Sequence, residues 1–273
     1  MTSRVPSTLR FDHVVFEAQG QSLLKGVCGE FSGGCIHAIV GQNGAGKTTL
    51  LRCLSKELTP QAGQISLQQR ALRDWSFAEL AQRRAVLSQQ QELAFSFSVT
   101  QLIELGLEVA GGRFEQRQSR LQVLLELCDL QALAQRNILT LSGGEQKRAQ
   151  LARVLAQIWP DDWQNDAAFA GKWLFLDEWS DGLDLKHQVQ IGCLLKQLAA
   201  KGLGVVMILH DLNQVAQWAD EVLLLKQGEV MAQGDTQAML TQANLLTVMD
   251  VEVAILPASG STPLLIFPAR HSH

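Results

Sequence analysis

Lys47 and Thr48 follow Gly41-Gln42-Asn43-Gly44-Ala45-Gly46, and Thr49 comes next. The run is a complete G-x-x-x-x-G-K-[ST] match. Its three glycines let a loop wrap so that the N–H groups converge on one point and cradle phosphate oxygens. Lys47 has the reach for the β- and γ-phosphates, and the Thr48 hydroxyl is a ligand for Mg²⁺. Such chemistry needs a nucleoside triphosphate.

A second candidate is Trp173-Leu174-Phe175-Leu176, an apolar run that ends in Asp177-Glu178. Carboxylates at the C-terminal edge of a strand sit where α/β sheets bind ligands. Asp177 can hold Mg²⁺ through water. Glu178 can polarise a water for in-line attack. On their own, two acids at a strand end are as readily explained by solvation.

The third is Leu141-Ser142-Gly143-Gly144-Glu145. Ser142 and Glu145 fit a capping box ahead of an apolar-periodic helix. A cap does not need two glycines, which are poor residues for a first turn. Bare backbone at a helix N-terminus suits an anion, so this end can be capped and still meet a phosphate.

These residues need a frame. Ile36-His37-Ala38-Ile39-Val40 reads as a buried strand into the glycine loop, and Thr48 to Leu54 as the helix out of it. Residues 9–16 and 22–40 read as strands around turns at Gly20-Gln21 and Ser32-Gly33-Gly34. Gln64 to Leu67 alternates like a strand, Asp74 to Arg84 reads as helix, and Ala85 to Gln89 as a short strand. Residues 99–139 have helical periodicity broken at Gly111-Gly112, and a long helix runs to Trp159. Strand-like runs at 173–176, 204–209 and 221–225 then alternate with helices. This predicts an α/β fold with a mostly parallel sheet, an antiparallel part near the N-terminus and an inserted helical subdomain. The expected division is an α/β core over about 9–90 and 165–245, a helical subdomain over about 91–160, and a tail over about 246–273.

The 273 residues and 47% apolar content suffice for one large domain, and no apolar stretch is long enough to span a membrane. Residues 1–10 do not read as a signal peptide. A net charge of −4 argues against a nucleic-acid surface. Five cysteines without a C-x-x-C pair read as reduced packing residues, with no zinc site expected.

A P-loop, then LSGGE, then an apolar strand ending in Asp-Glu resembles the ATP-binding-cassette (ABC) ATPases over about residues 9–245. The resemblance implies ATP and Mg²⁺ as cofactors. It makes Gln89 the Q-loop glutamine that senses the metal, Asp181-Gly182-Leu183-Asp184 the D-loop, and His210 the switch histidine facing the γ-phosphate. Stretches at 52–60, 74–89, 93–99 and 250–268 are similar to the hemin-import members, which belong with the siderophore and cobalamin importers. That implies ATPase subunits paired head to tail. Each ATP lies between one P-loop and the partner's Ser142 helix end. It also implies two permease subunits docked near residues 89–115, a periplasmic heme-binding protein, and a peripheral place on the cytoplasmic face of the inner membrane. The alternatives are a ferric-siderophore or cobalamin importer, or a non-transport ABC ATPase. Repair and translation types lack support, because no sustained heptads and only one cassette are present.

Four departures from the family pattern stand out: Trp179 for Pro, Asp181-Gly182 for Ser-Ala, Lys147 for a common Gln, and Ala18 for the aromatic that stacks on adenine. Phe16, two residues before Ala18, either supplies that ring or belongs to the core.

Overall fold

The computed structural model describes residues 7–88, 96–256 and 265–268. Strands β1 (Thr8–Ala18) and β2 (Gln21–Ser32) form an antiparallel hairpin, and β3 (Ile36–Val40) runs into the glycine loop and helix α1 (Lys47–Leu54). Strands β4 (Ala62–Leu67) and β5 (Arg70–Ala71) complete a four-stranded sheet of order β2-β1-β4-β5. Helix α2 (Phe77–Ala81) and strand β6 (Arg84–Leu87) follow. Next come α3 (Val99–Ala110), α4 (Phe114–Leu127) and α5 (Gly143–Gln157). Then β7 (Trp173–Asp177), α6 (Leu185–Ala200), β8 (Gly204–Ile208), α7 (Leu212–Trp218) and β9 (Glu221–Lys226) alternate. The antiparallel edge strand β10 (Glu229–Asp235), short helices α8 (Thr236–Met239) and α9 (Gln242–Met249), and the pair β11 (Val253–Leu256) and β12 (Leu265–Pro268) close the chain.

The six-stranded sheet has the order β10-β9-β3-β8-β7-β6, parallel from β9 to β6. Buried strands alternate between two cores, because successive side chains point to opposite faces. Ile36, Leu174, Leu176, Val205, Met207 and Leu224 face one way, onto α3, α4, α5 and α6. Ile39, Phe175, Val206, Ile208 and Leu225 face the other, onto α1 and the antiparallel sheet. The sheet is therefore the middle layer of three, which is the expected fold class.

The helix expected over Asp74 to Arg84 is shorter than its periodicity suggests. A single 3₁₀ turn ends at Asp74 and Trp75 is extended. The Ser76–Glu79 capping box then starts a five-residue helix, and Arg84 already pairs with Trp173 in the parallel sheet. The capping residue and the demand of β6 for a partner override propensity. The strand expected over Ala85 to Gln89 is β6, and Gln89 itself lies outside the described residues.

Helices α3 and α5 meet at Gly106, where a Cβ would lie 2.2 Å from the Arg153 carbonyl oxygen and 2.8 Å from the Ala156 Cβ. Alanine is the better helix former by about 1 kcal/mol, so at an open site Gly→Ala would stabilise. Here Gly106→Ala should instead cost about 1–3 kcal/mol through overpacking, seen as a lower melting temperature. A melting temperature equal to the parent's would show that these helices are not packed this closely.

Candidate functional site

The P-loop begins where β3 ends. Gly41 passes so close to β9 that a Cβ would lie 2.1 Å from the Leu225 carbonyl oxygen. Gly46 sits at φ 102° directly before α1, with the Leu23 carbonyl oxygen 2.6 Å from where its Cβ would be. Both positions need glycine, one for space and one for backbone freedom as well. The loop is braced by Ala45 N–H to Gln42 O at 3.1 Å and Gly228 N–H to Ala45 O at 2.9 Å.

Lys47 is only 7% exposed, and its ammonium donates to Gly41 O at 2.8 Å and Gln42 O at 2.9 Å. Burial pushes its pKa down, while Glu178 and Asp177 oppose that shift. Leu23, Asn43, Gly44, Gly46, Thr48, Thr49, Glu178 and His210 line the same cleft with it.

Asp177 and Glu178 reach the cleft because β7 lies one strand from β3, with only β8 between them. Asp177 is 2% exposed, and its Oδ1 has no hydrogen-bond partner among the described residues. Burial raises its pKa, and a hydrogen bond with the Thr48 side chain opposes the rise. A buried carboxylate oxygen with no partner among the described residues, beside a threonine hydroxyl, is a donor pair of the kind Mg²⁺ takes, since that ion prefers oxygen ligands.

Glu178 has φ 54°, a left-handed conformation that costs a non-glycine residue about 1–3 kcal/mol. The turn is held by Glu178 N–H to Ile208 O at 3.1 Å and by Asp181 N–H to Glu178 O at 3.4 Å. It brings Glu178 Oε1 into a short hydrogen bond with His210 Nε2, two residues beyond the end of β8. A carboxylate and an imidazole in contact above the P-loop can orient a water and hold its proton.

Ser142, by contrast, is not brought to this cleft. Its side chain accepts from Glu145 N–H at 3.4 Å, and its own N–H and Oγ donate to Glu145 Oε2 at 2.7 and 2.8 Å. The expected capping box is therefore formed, and those bonds hold the Glu145 carboxyl below the usual range. Ser142 and Gly143 are exposed, and among the described residues no other element comes within 4 Å of where a Gly143 Cβ would be. Leu141 is buried behind them. In the 181–184 loop, Leu183 is buried, Asp181 and Gly182 are exposed, and Asp184 caps α6 through His187 N–H at 2.9 Å.

Phe16 packs against the core on the α1 side of the sheet, and neither it nor Ala18 lines the cleft, where Leu23 stands instead. Leu23 was hidden because nothing in the sequence says that β2 passes over the loop. A second hidden contact ties the P-loop to the end of the chain. Gln42 Nε2 donates to Met249 O at 2.7 Å and to Asp250 Oδ2 at 3.0 Å. Lys226 Nζ meets the other Asp250 oxygen at 2.8 Å, and this bond, first among its causes, lowers the Asp250 pKa.

With this geometry in hand, comparison with known proteins is informative. The ABC transporter family model matches residues 24–158. The chain is 42% identical to the hemin import ATP-binding protein HmuV of Escherichia coli O157:H7, over 93% of this chain and 97% of that one. It is 39% identical to the protein of the same name from Hydrogenovibrio crunogenus, over 94% and 99%. Among solved structures, it is similar to a metal-chelate type ABC transporter in an inward-facing conformation. There the TM-score is 0.76 at 25% identity, with 97% of this chain and 98% of that one covered. A dimeric ATP-binding cassette in a post-hydrolysis state with ADP and phosphate matches at TM-score 0.70 and 24% identity, over 84% and 98%. A shared P-loop frame, the site it builds and full-length likeness to curated relatives lead to one conclusion: the chain belongs to the ABC transporter family, as one of its ATP-binding subunits.

Proposed function

We propose that this protein is the ATP-hydrolysing subunit of a hemin importer and works as a head-to-tail dimer under a membrane permease. The observation that carries the ATPase reading is the convergence of Lys47, Thr48, Glu178 and His210 on one cleft, with Asp177 buried beside Thr48 at its floor. The hemin assignment rests on likeness to the HmuV proteins over nearly the whole chain.

In this reading the P-loop amides of Gly44 to Thr49 hold the phosphates and Lys47 turns to the β- and γ-oxygens. Thr48 and Asp177 would hold Mg²⁺, with Gln89 added by family resemblance, and the bound ion would supply charge stabilisation at the phosphate oxygens. Glu178 orients the attacking water and accepts its proton. His210 fixes the Glu178 carboxylate and contacts the γ-phosphate. The exposed Ser142-Gly143-Gly144 helix end meets the ATP of the partner subunit, since within one chain it is absent from the cleft. The 181–184 loop lies along that dimer face.

Leu105, Val109 and Phe114 are exposed apolar side chains on α3 and at the start of α4, with exposures of 42%, 40% and 67%. They suit docking of two permease subunits on a helical subdomain of about residues 91–160. No described helix is long and apolar enough to cross a membrane. By likeness to the hemin-import subunits, we place it on the cytoplasmic face of the inner membrane, held by the permease, with a periplasmic heme-binding protein delivering substrate. The metal-chelate neighbour favours, as a second reading, import of a ferric siderophore or cobalamin.

Glu178→Gln should keep ATP binding while phosphate release falls by orders of magnitude, and the variant should collect as an ATP-bound dimer. Near-normal phosphate release with the permease present would remove Glu178 from its role.

Ser142→Arg places bulk and a cation at the exposed helix end. ATP should still bind to each P-loop, while ATP-driven dimerisation, read by light scattering, should fail. Lys47→Ala should instead weaken nucleotide binding itself. Dimerisation of Ser142→Arg on ATP would overturn the head-to-tail arrangement.

For the substrate, deleting the gene should abolish growth on hemin as sole iron source and spare growth on ferric siderophores. The reverse pattern would select the second reading.

A further inference from the structure

The side chain of Lys147 crosses from α5 to the turn after β7, where its Nζ donates to the backbone carbonyl of Glu178 at 2.7 Å. This is a charge-assisted bond to the peptide that leaves Glu178, the left-handed residue that opens the turn. The carbonyl it holds also accepts the Asp181 N–H. That peptide sets where the Glu178 side chain departs, and so whether its carboxylate meets His210.

The same lysine belongs to the first turns of α5. Gly143 is four residues before it, on the same helix face. Beside it, Gly144 sits so close to the 181–184 loop that a Cβ would lie 3.0 Å from the Gly182 carbonyl oxygen. The start of α5 and the Glu178–Asp184 turn are thus joined at two points, one steric and one polar. Burial lowers the pKa of the ammonium, and the charges of Asp181, Glu178 and Asp177 oppose that shift.

We infer that Lys147 is a positioning residue for Glu178, tying the carboxylate that orients the attacking water to the helix end that closes on the partner's nucleotide. This rests on the hydrolysis and head-to-tail readings above. It adds a route by which seating of Ser142 on one ATP sets the geometry of Glu178 at the other. Glutamine, common at this position in the family, can donate to the same carbonyl only with a shorter arm and no charge.

Lys147→Met keeps the apolar stem and removes the donor. In the full chain it should lower kcat for ATP at least about tenfold, a loss of about 1.4 kcal/mol of transition-state stabilisation. KM, ATP affinity and melting temperature should stay near the parent's. Lys147→Arg, which restores a cationic donor, should recover most of the loss. ATP-driven dimerisation should be equal in Glu178→Gln and in Glu178→Gln/Lys147→Met. Parent-like kcat in Lys147→Met overturns the inference, as does a kcat loss that Arg fails to rescue or that travels with lost ATP affinity or stability. If Glu178→Gln turns over normally, the hydrolysis reading falls and this inference with it. If Glu178→Gln is inactive and Lys147→Met is not impaired, only this inference falls.

Discussion

Strand β3 pairs in parallel with β8 on one side and β9 on the other, and the site depends on that seat. Parallel pairing sends the C-terminal ends of β3, β8 and β7 to one edge of the sheet. Those ends carry the glycine loop, His210 and the Asp177-Glu178 pair. Ile39 lies opposite Ile208, and Ile208 opposite Asp177, so the register fixes the height of each group above the sheet. A shift of one residue would turn each buried side chain to the opposite core and move His210 and the Asp177-Glu178 pair out of register with the loop. The phosphate-binding loop is placed by two hydrophobic layers, and its own few hydrogen bonds only shape it.

The cleft then concentrates groups that would not fold there on their own account. Lys47 and Asp177 are both buried at the strand ends, and each has its pKa moved toward the neutral form by lost hydration. Lys47 recovers part of that loss through two loop carbonyls, and Asp177 through Thr48. The Asp177 Oδ1 recovers none from the described residues. Glu178 adds a left-handed backbone. Burial, an orphaned acceptor and strain in one place mean that the sheet supports a site suited to a charged ligand better than to its own stability.

Much of this was legible from local sequence. The P-loop, the capped LSGGE helix and the Asp-Glu strand end are short-range patterns whose residues meet through consecutive backbone. The alternation of strands and helices gave the parallel sheet. Contacts between distant residues were not legible. Leu23 over the cleft, Asp250 on Gln42 and Lys147 on Glu178 depend on where separate elements cross, which no spacing in the chain encodes. Periodicity also misled at Asp74 to Arg84, where a capping box and the edge of the sheet divided an apparent helix. Strand parity left Phe16 open to either role, a ring near adenine or a core side chain, and its contacts are with the core.

The departures at Trp179 and Gly182 bear on how the turn after β7 stays rigid. Proline after the glutamate would pre-set one backbone angle. Trp179 fixes the turn by burial instead, at 1% exposure, joined in the same core by Leu183 four residues on. Burying a side chain of that size contributes about 2–3 kcal/mol, enough to offset the left-handed conformation of Glu178 beside it. Its Nε1 finds no partner among the described residues, so part of that gain is lost to desolvation. Gly182 at φ 77° then returns the chain toward α6 through a conformation that alanine adopts only with strain. Its carbonyl is the one that Gly144 approaches, which makes glycine at 144 as much a packing requirement of this loop as a feature of the helix end. With Lys147 on the Glu178 carbonyl, three substitutions relative to the family pattern converge on one turn. A packed indole stands in place of a rigid proline ring, and a free-turning glycine and a charged tether complete the turn.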